Sequence, residues 1–280
     1  MNKGIKITKK IISYIIIVVI AILTTSLIYL NILNNNILNE NNILTMIDNS
    51  NYYREIKDET LKLLEGYVQQ SGFDKTILKD IVTEEIVKKD IHNIIDEIYT
   101  NSTAEVSDIS KNLQNNIDKY IKDNNKLLDV AQKNSIKELI SLMSNEYKNN
   151  IFPTSSILHL NKIVQGVSDK YVTINNYIIL AIFILIVILL FLSFKKSILY
   201  VSIAFLIVGI LVFGIFMYID ITLNLDNIYV YSLSITNILK LIISNITNDI
   251  YMYSTFIFFV STIICYMSCF MIFKSNNNRK

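Results

Sequence analysis

Two histidines, two cysteines and one tyrosine–arginine cluster are the groups in this sequence whose types and spacing are suited to chemistry. His92 stands one helical turn before Asp96 and two residues after Asp90, a spacing that would bring an imidazole and a carboxylate to one metal ion or one proton. A metal centre needs three or four converging ligands, and His159 is isolated far along the chain, so a solvated helix face without metal is expected. Cys265 and Cys269, four residues apart, would present two thiols on one side of a helix. Two thiols are an incomplete metal site, and Ser254, Ser261 and Ser268 extend the same stripe. The expectation there is a helix-packing seam, with Ser202 and Gly209 on an earlier apolar segment as its counterpart.

Tyr52, Tyr53 and Arg54 form a candidate interaction surface, because Tyr and Arg dominate binding hot spots. The competing expectation is that the tyrosines close a helical core. No G-x-S-x-G, glycine-rich phosphate loop or Cys–His arrangement occurs. Catalytic, cofactor-binding and metal-ligating residues are therefore expected to be none, and the protein is expected not to be an enzyme.

The elements that carry these groups follow from hydrophobicity. The 280 residues are 52% hydrophobic and 18% charged, more apolar than a soluble core of this size uses. Four uncharged apolar segments account for the excess: 11–30, 177–194, 198–219 and 250–273. None contains Asp, Glu, Lys, Arg or His, which argues against proton relays, ion-coupled transport and intramembrane proteolysis. The first follows Lys3, Lys6, Lys9 and Lys10 and lacks a small-residue cleavage site, so it reads as an uncleaved signal anchor.

Charge sets the expected orientation. Segments 1–10, 195–197 and 274–280 hold nine Lys or Arg and no acid, whereas residues 31–176 hold 16 basic and 21 acidic residues, a net of −5. By the positive-inside rule both termini and the 195–197 turn are cytoplasmic, and 31–176 and 220–249 lie outside. The basic residues only flank spans, so no nucleic-acid partner is expected; the lipid bilayer and a membrane or envelope protein are.

Between the first two spans the apolar residues recur at helical spacing. Helices are predicted around Ile43–Ile47, from Tyr53 to Ser71 with Gly72 as the stop, and after Thr83 with Ile91, Ile94, Ile95 and Ile98 inward. Further helices follow from Val106 to Ile121 and after a capping box at Ser135–Glu138. Pro153 ends that last helix, and another, starting after Ser156, is expected to continue into the second span. An amphipathic helix after Ser234, with Ile235, Ile238, Leu239, Ile242 and Ile246 on one side, is expected to pack on the external bundle. The fold class is thus all-α: an integral membrane protein with four transmembrane helices and an extracytoplasmic helical bundle between the first and second.

The stretch NYYREIKDETLKLLEGYVQQSGFDKTILKDIVTEEIVKKDIHNIIDEIY, from Asn51 to Tyr99 after a signal anchor, resembles a group of uncharacterised low-GC Gram-positive multi-pass membrane proteins. The resemblance implies that architecture and carries no activity or ligand. The functional expectation is a non-enzymatic sensing or protein-interaction module of the cell envelope. Its alternatives are an accessory subunit of a transporter and an external enzyme lacking a recognisable motif.

Overall fold

The computed structural model describes residues 3–100, 102–151, 154–193, 196–223, 225–229 and 232–277. Pro153, Lys195 and the tail from 278 lie outside the described residues, as do the side chains of Lys3, Lys6, His159 and Lys274. The described residues are mostly helical, with no strand element: α1 (Lys3–Leu33), α2 (Glu40–Asp48), α3 (Tyr52–Ser71), α4 (Glu84–Thr100), α5 (Ser110–Asp123), α6 (Val130–Ile151), α7 (Thr154–Ser193), α8 (Ser197–Thr222) and α9 (Leu233–Asn277). Four of them contain stretches long and apolar enough to cross a bilayer: Ile7–Leu38, Asn161–Ser193, Ser197–Thr222 and Leu233–Phe273. The chain has the make-up of a multi-pass membrane protein.

Contacts divide the chain into an apolar unit (residues 1–38, 167–228 and 240–280) and a polar unit (39–166 and 229–239). The polar unit is narrower than the segment 31–176 marked out by charge. Asn31 to Asn36 do not open a loop; α1 runs on into a π-helical turn, Asn34–Leu38. There Asn36 is buried and donates to Asp249 Oδ2 at 2.7 Å and to Ile32 O at 3.1 Å. The amphipathic stretch after Ser234 and the fourth span are likewise one helix of 45 residues, because no Gly or Pro interrupts 233–277. α7 is also continuous over 40 residues, with Gly166 as its sole interior glycine.

In the apolar unit α1 and α8 run parallel. Tyr14 faces Tyr200, Ile17 and Ile20 pack with Ala204, and Ala21, Ile28 and Ile32 pack with Val208 and Val212. α7 lies antiparallel to α1, with Leu189 against Ile16 and Ile20 at one end and Tyr171 donating to Asn31 at 2.7 Å at the other.

The polar unit is a bundle whose core holds Ile56, Leu64, Ile94, Leu113, Ile117 and Met143. Gly72 adopts φ 73° and ends α3, a left-handed stop that a Cβ would disfavour. Thr83 Oγ1 accepts from Ile86 N at the start of α4. The capping box expected at Ser135 is displaced: it opens six residues earlier, where Asp129 and Gln132 exchange backbone-to-side-chain bonds of 3.0 and 2.7 Å ahead of Val130. Asp-x-x-Gln satisfies the same two donors as Ser-x-x-Glu. Ser135 sits inside the helix and bonds back to Ala131 O.

Candidate functional site

The polar groups singled out in the sequence, His159 apart, have definite places. Tyr52 and Tyr53 are buried at the start of α3, ring edge to ring face, and only Arg54 of that cluster is exposed. The three therefore do not form one surface, because the first turn of α3 directs both rings into the bundle. Tyr53 instead anchors a polar cluster. Its hydroxyl donates to Asp48 Oδ1 at 2.7 Å and stands 3.0 Å from His92 Nε2, which is itself 3.2 Å from Asp48 Oδ1. Lys88 Nζ pairs with the same oxygen at 2.9 Å and lies 5.5 Å from the centre of the Tyr53 ring.

The Tyr53 proton is committed to Asp48, so His92 Nε2 faces two oxygen acceptors and carries a hydrogen. Burial alone would raise the Asp48 carboxyl. The hydrogen bonds from Lys88, Tyr53 and His92, with the Lys88 charge, outweigh it and lower the pKa to about 2. Burial first, then the bond to Asp48, drives the Tyr53 hydroxyl well above its ordinary range. The cluster ties α2, α3 and α4 together.

Asp90 and Asp96, the other carboxylates near His92 in sequence, point elsewhere. Asp96 bonds Thr100 and Ser102 beyond the end of α4. Asp90 is fully buried; its Oδ1 accepts from Ser107 N and Oγ at 3.0 and 2.7 Å, and its Oδ2 from the Tyr147 hydroxyl. Burial, followed by Asp90, pushes the Tyr147 hydroxyl up. Among the described residues no group of three or more His, Cys, Asp and Glu side chains stands close enough to hold a metal ion.

Two clefts open on the polar unit. The larger, of about 870 Å³, runs between the connection 74–81 and one stripe of α5. Asn116 fixes its floor by donating to both Ile77 O and Lys79 O at 2.9 Å. The second, of about 640 Å³, lies where α3 ends beside the α5–α6 corner, with Tyr67, Phe73, Ile121 and Leu139 in its wall. Next to it Leu127 is 98% exposed, Val130 76% and Leu142 52%.

The two long helices that pass from one unit's residues to the other's are gripped at their roots inside the polar unit. Asn161 Nδ2 of α7 donates to Glu97 O at 2.8 Å and Ile98 O at 3.1 Å, and Gln165 Nε2 bonds Tyr99 O. These amides satisfy carbonyls that the end of α4 would otherwise leave open. At α9, Ser234 N and Oγ donate to Glu59 at 3.1 and 2.8 Å, and Asn237 Nδ2 donates to both oxygens of Glu55. A carboxylate set on the first turn of a helix meets both its free N–H groups and its positive dipole end. The start of this stretch, through Leu239, belongs with the bundle and meets α3, whereas from Lys240 on, Ile242 and Ile246 included, it belongs to the apolar unit.

The residues of the helix-packing stripe lie within the apolar unit. Ser202, Gly209, Ser254, Ser261 and Ser268 are buried, Cys265 is half-buried and Cys269 exposed. A Cβ built on Gly209 would stand 3.1 Å from Phe258 Cα, so the α8 and α9 backbones meet there. Cys265 is in hydrogen-bonding reach of Ser202, and the Phe216 and Tyr251 rings are 5.1 Å apart. Successive contacts thus step forward seven residues on α8 and back seven on α9, the period of antiparallel helices in left-handed packing.

Sequence reasoning did not find Asp48, Lys88, Glu55 or Glu59. Apart from the Asp48–Tyr53 bond, which spans five residues, each meets its partner across dozens of residues. No protein-family model, curated protein or solved structure matches the chain.

Proposed function

We propose that this chain is a non-enzymatic binding or sensing module of the bacterial cell envelope. Its four apolar helices sit in the membrane with both termini and the 195–197 turn cytoplasmic. Its helical domain, within residues 31–176, faces outward and holds a protein partner. Three lysine-rich flanks supporting one orientation favour this topology. The observation that carries the binding role is the exposed Leu127 and Val130 at the corner before and at the start of α6, beside a cleft walled by Tyr67 and Phe73 whose far end carries the exposed Leu142, about 18 Å along the same helix. The amide and carboxylate grips on α7 and α9 give such binding a route onward: an event that loosens either grip acts at the root of a membrane helix.

In-cell photocrosslinking tests the role, with a benzophenone amino acid at Leu127 and, as a control, at Asp118 on an exposed turn of α5. A discrete adduct at Leu127 that is absent at Asp118 is expected, and mass spectrometry then identifies the partner. Recovery of a permease or ATPase subunit would assign the module to a transporter. Absence of any adduct at Leu127 would sink the binding role. Orientation is tested separately: Lys111→Cys, in a domain without cysteine, should react with an impermeant maleimide in intact cells.

A further inference from the structure

We infer that the cleft between the 74–81 connection and α5 is a binding site for an uncharged oligosaccharide. The inference rests on the outward-facing binding role proposed above and extends it to a second site with its own ligand.

The cleft is built before any ligand arrives. Its floor is pinned by the two Asn116 bonds, and its long wall is a helix face that cannot collapse inward. At about 870 Å³ it falls in the size range of small-molecule sites. Some polar groups on its rim are already spent: Asp74 accepts from Thr76 N, and Asn124 Nδ2 donates to Tyr120 O. Lys79 and Asp80 on the connection, and Asn112, Asn115, Lys119 and Asp123 on α5, have side chains that bond no other group of the described chain. These six supply two ammonium groups, two carboxylates and two primary amides.

That inventory selects the ligand by elimination. A polyanion would meet Asp74, Asp80 and Asp123, and a cation would meet Lys79 and Lys119. No three acidic or His/Cys groups converge to chelate a metal ion among the described residues. An apolar ligand would strand six polar groups without water. Hydroxyl groups, which both donate and accept, can satisfy ammonium, amide and carboxylate at once. Ile77 and Ile81 are buried beneath the cleft, and the Tyr120 ring meets Phe73 edge-on and Lys126 Nζ at 4.9 Å from its centre, so the groups open to a ligand are the polar ones. Asn112 to Asp123 follow one side of α5 for about 16 Å at ~1.5 Å per residue, so the groove suits a chain of rings better than a single sugar.

Calorimetric titration of the full-length protein in detergent with chitotetraose, cellotetraose and maltotetraose tests this, with tetraglycine as the competing probe. At least one tetrasaccharide should bind, with the Asn115→Ala/Asp123→Ala double variant weakening it tenfold or more. Leu127→Ala, at the other site, should leave saccharide affinity unchanged, and the circular dichroism of both variants should match the wild type. Binding of tetraglycine alone, no saccharide binding, or equal affinity in the double variant would each overturn the inference. Such a failure would leave the Leu127 adduct intact, so the two readings fall separately.

Discussion

The serines of the apolar unit and the cross-linking side chains of the polar unit find their partners in different places. In the apolar unit five buried serines bond within their own helix: Ser13 to Lys9 O, Ser202 to Leu199 O, Ser254 to Tyr251 O, Ser261 to Ile257 O and Ser268 to Ile264 O. In the polar unit the bonds cross between elements, as with Asn116 to Ile77 O, Asn150 to Thr60, Asn161 to Glu97 O and Tyr147 to Asp90. A hydroxyl in lipid has no water to turn to, and the carbonyl of the preceding turn is the partner nearest to hand. It then acts as a small side chain that lets helices approach. In water, a cross-element bond costs little to reach and specifies which helix lies where. The apolar unit is thus specified by size and spacing, and the polar unit by partner.

The largest test falls on the polar side. Asp90→Ala removes a buried acceptor and strands the Tyr147 hydroxyl and both Ser107 donors, so a loss of about 3 kcal/mol is expected in denaturant or thermal unfolding. Tyr147→Phe, which leaves two of the three donors in place, should cost less than half of that. Equal losses would mean that ring packing, and not the shared carboxylate, sets the stability here. Next comes the apolar side. Gly209→Leu drives a side chain into the Phe258 backbone and should cost about 2 kcal/mol through overpacking, read as a lower unfolding midpoint in detergent. Gly214→Leu, where nothing lies within 4 Å of a Cβ, should be neutral. If both substitutions behave alike, close approach is not what holds α8 to α9.

This division also explains what could be read from residues alone. The four apolar helices were legible because lipid imposes a long run of uncharged residues, and the stripe from Ser254 to Ser268 because a packed face must repeat every three or four residues. Gly72 and Thr83 were legible because a cap is a local bond. The Asp48 cluster was not, because nothing near His92 in sequence indicates that a carboxylate 44 residues earlier will share its nitrogen with Tyr53. The same holds for Glu55 and Glu59, whose partners lie 182 and 175 residues away. Helix ends were misplaced where one polar residue could serve two purposes. Ser135 resembles a cap but bonds within the helix, and the asparagines after Leu30 resemble a loop but extend α1.

Smaller effects sharpen the contrast. Asn116→Ala should cost about 1 kcal/mol, since it releases the 74–81 connection from α5 without stranding a charge. The Asp48 cluster adds a pH dependence. Its carboxyl falls from an ordinary 3.8 to about 2 on folding, so its contribution is complete above pH 4 and is lost as the pH drops toward 2. The side chain is 36% exposed, which holds the effect below about 1 kcal/mol. The gap in melting temperature between wild type and Asp48→Asn should therefore close between pH 4 and pH 2; a gap that widens on acidification would show that the pairing with Lys88 and His92 is not the source.

The smallest change expected is also the most direct probe of the comparison. Ser261 is buried, and its hydroxyl rests on Ile257 O at 2.6 Å and Phe258 O at 3.1 Å, both on its own helix. Ser261→Ala keeps the side chain small and returns those carbonyls to their helical N–H partners, so stability in detergent should move by no more than about 0.5 kcal/mol. Ser261→Leu keeps the backbone and adds bulk, and should fall toward the Gly209→Leu value. If alanine at 261 costs as much as alanine at 116, the hydroxyl is specifying a partner after all, and the two units obey one rule.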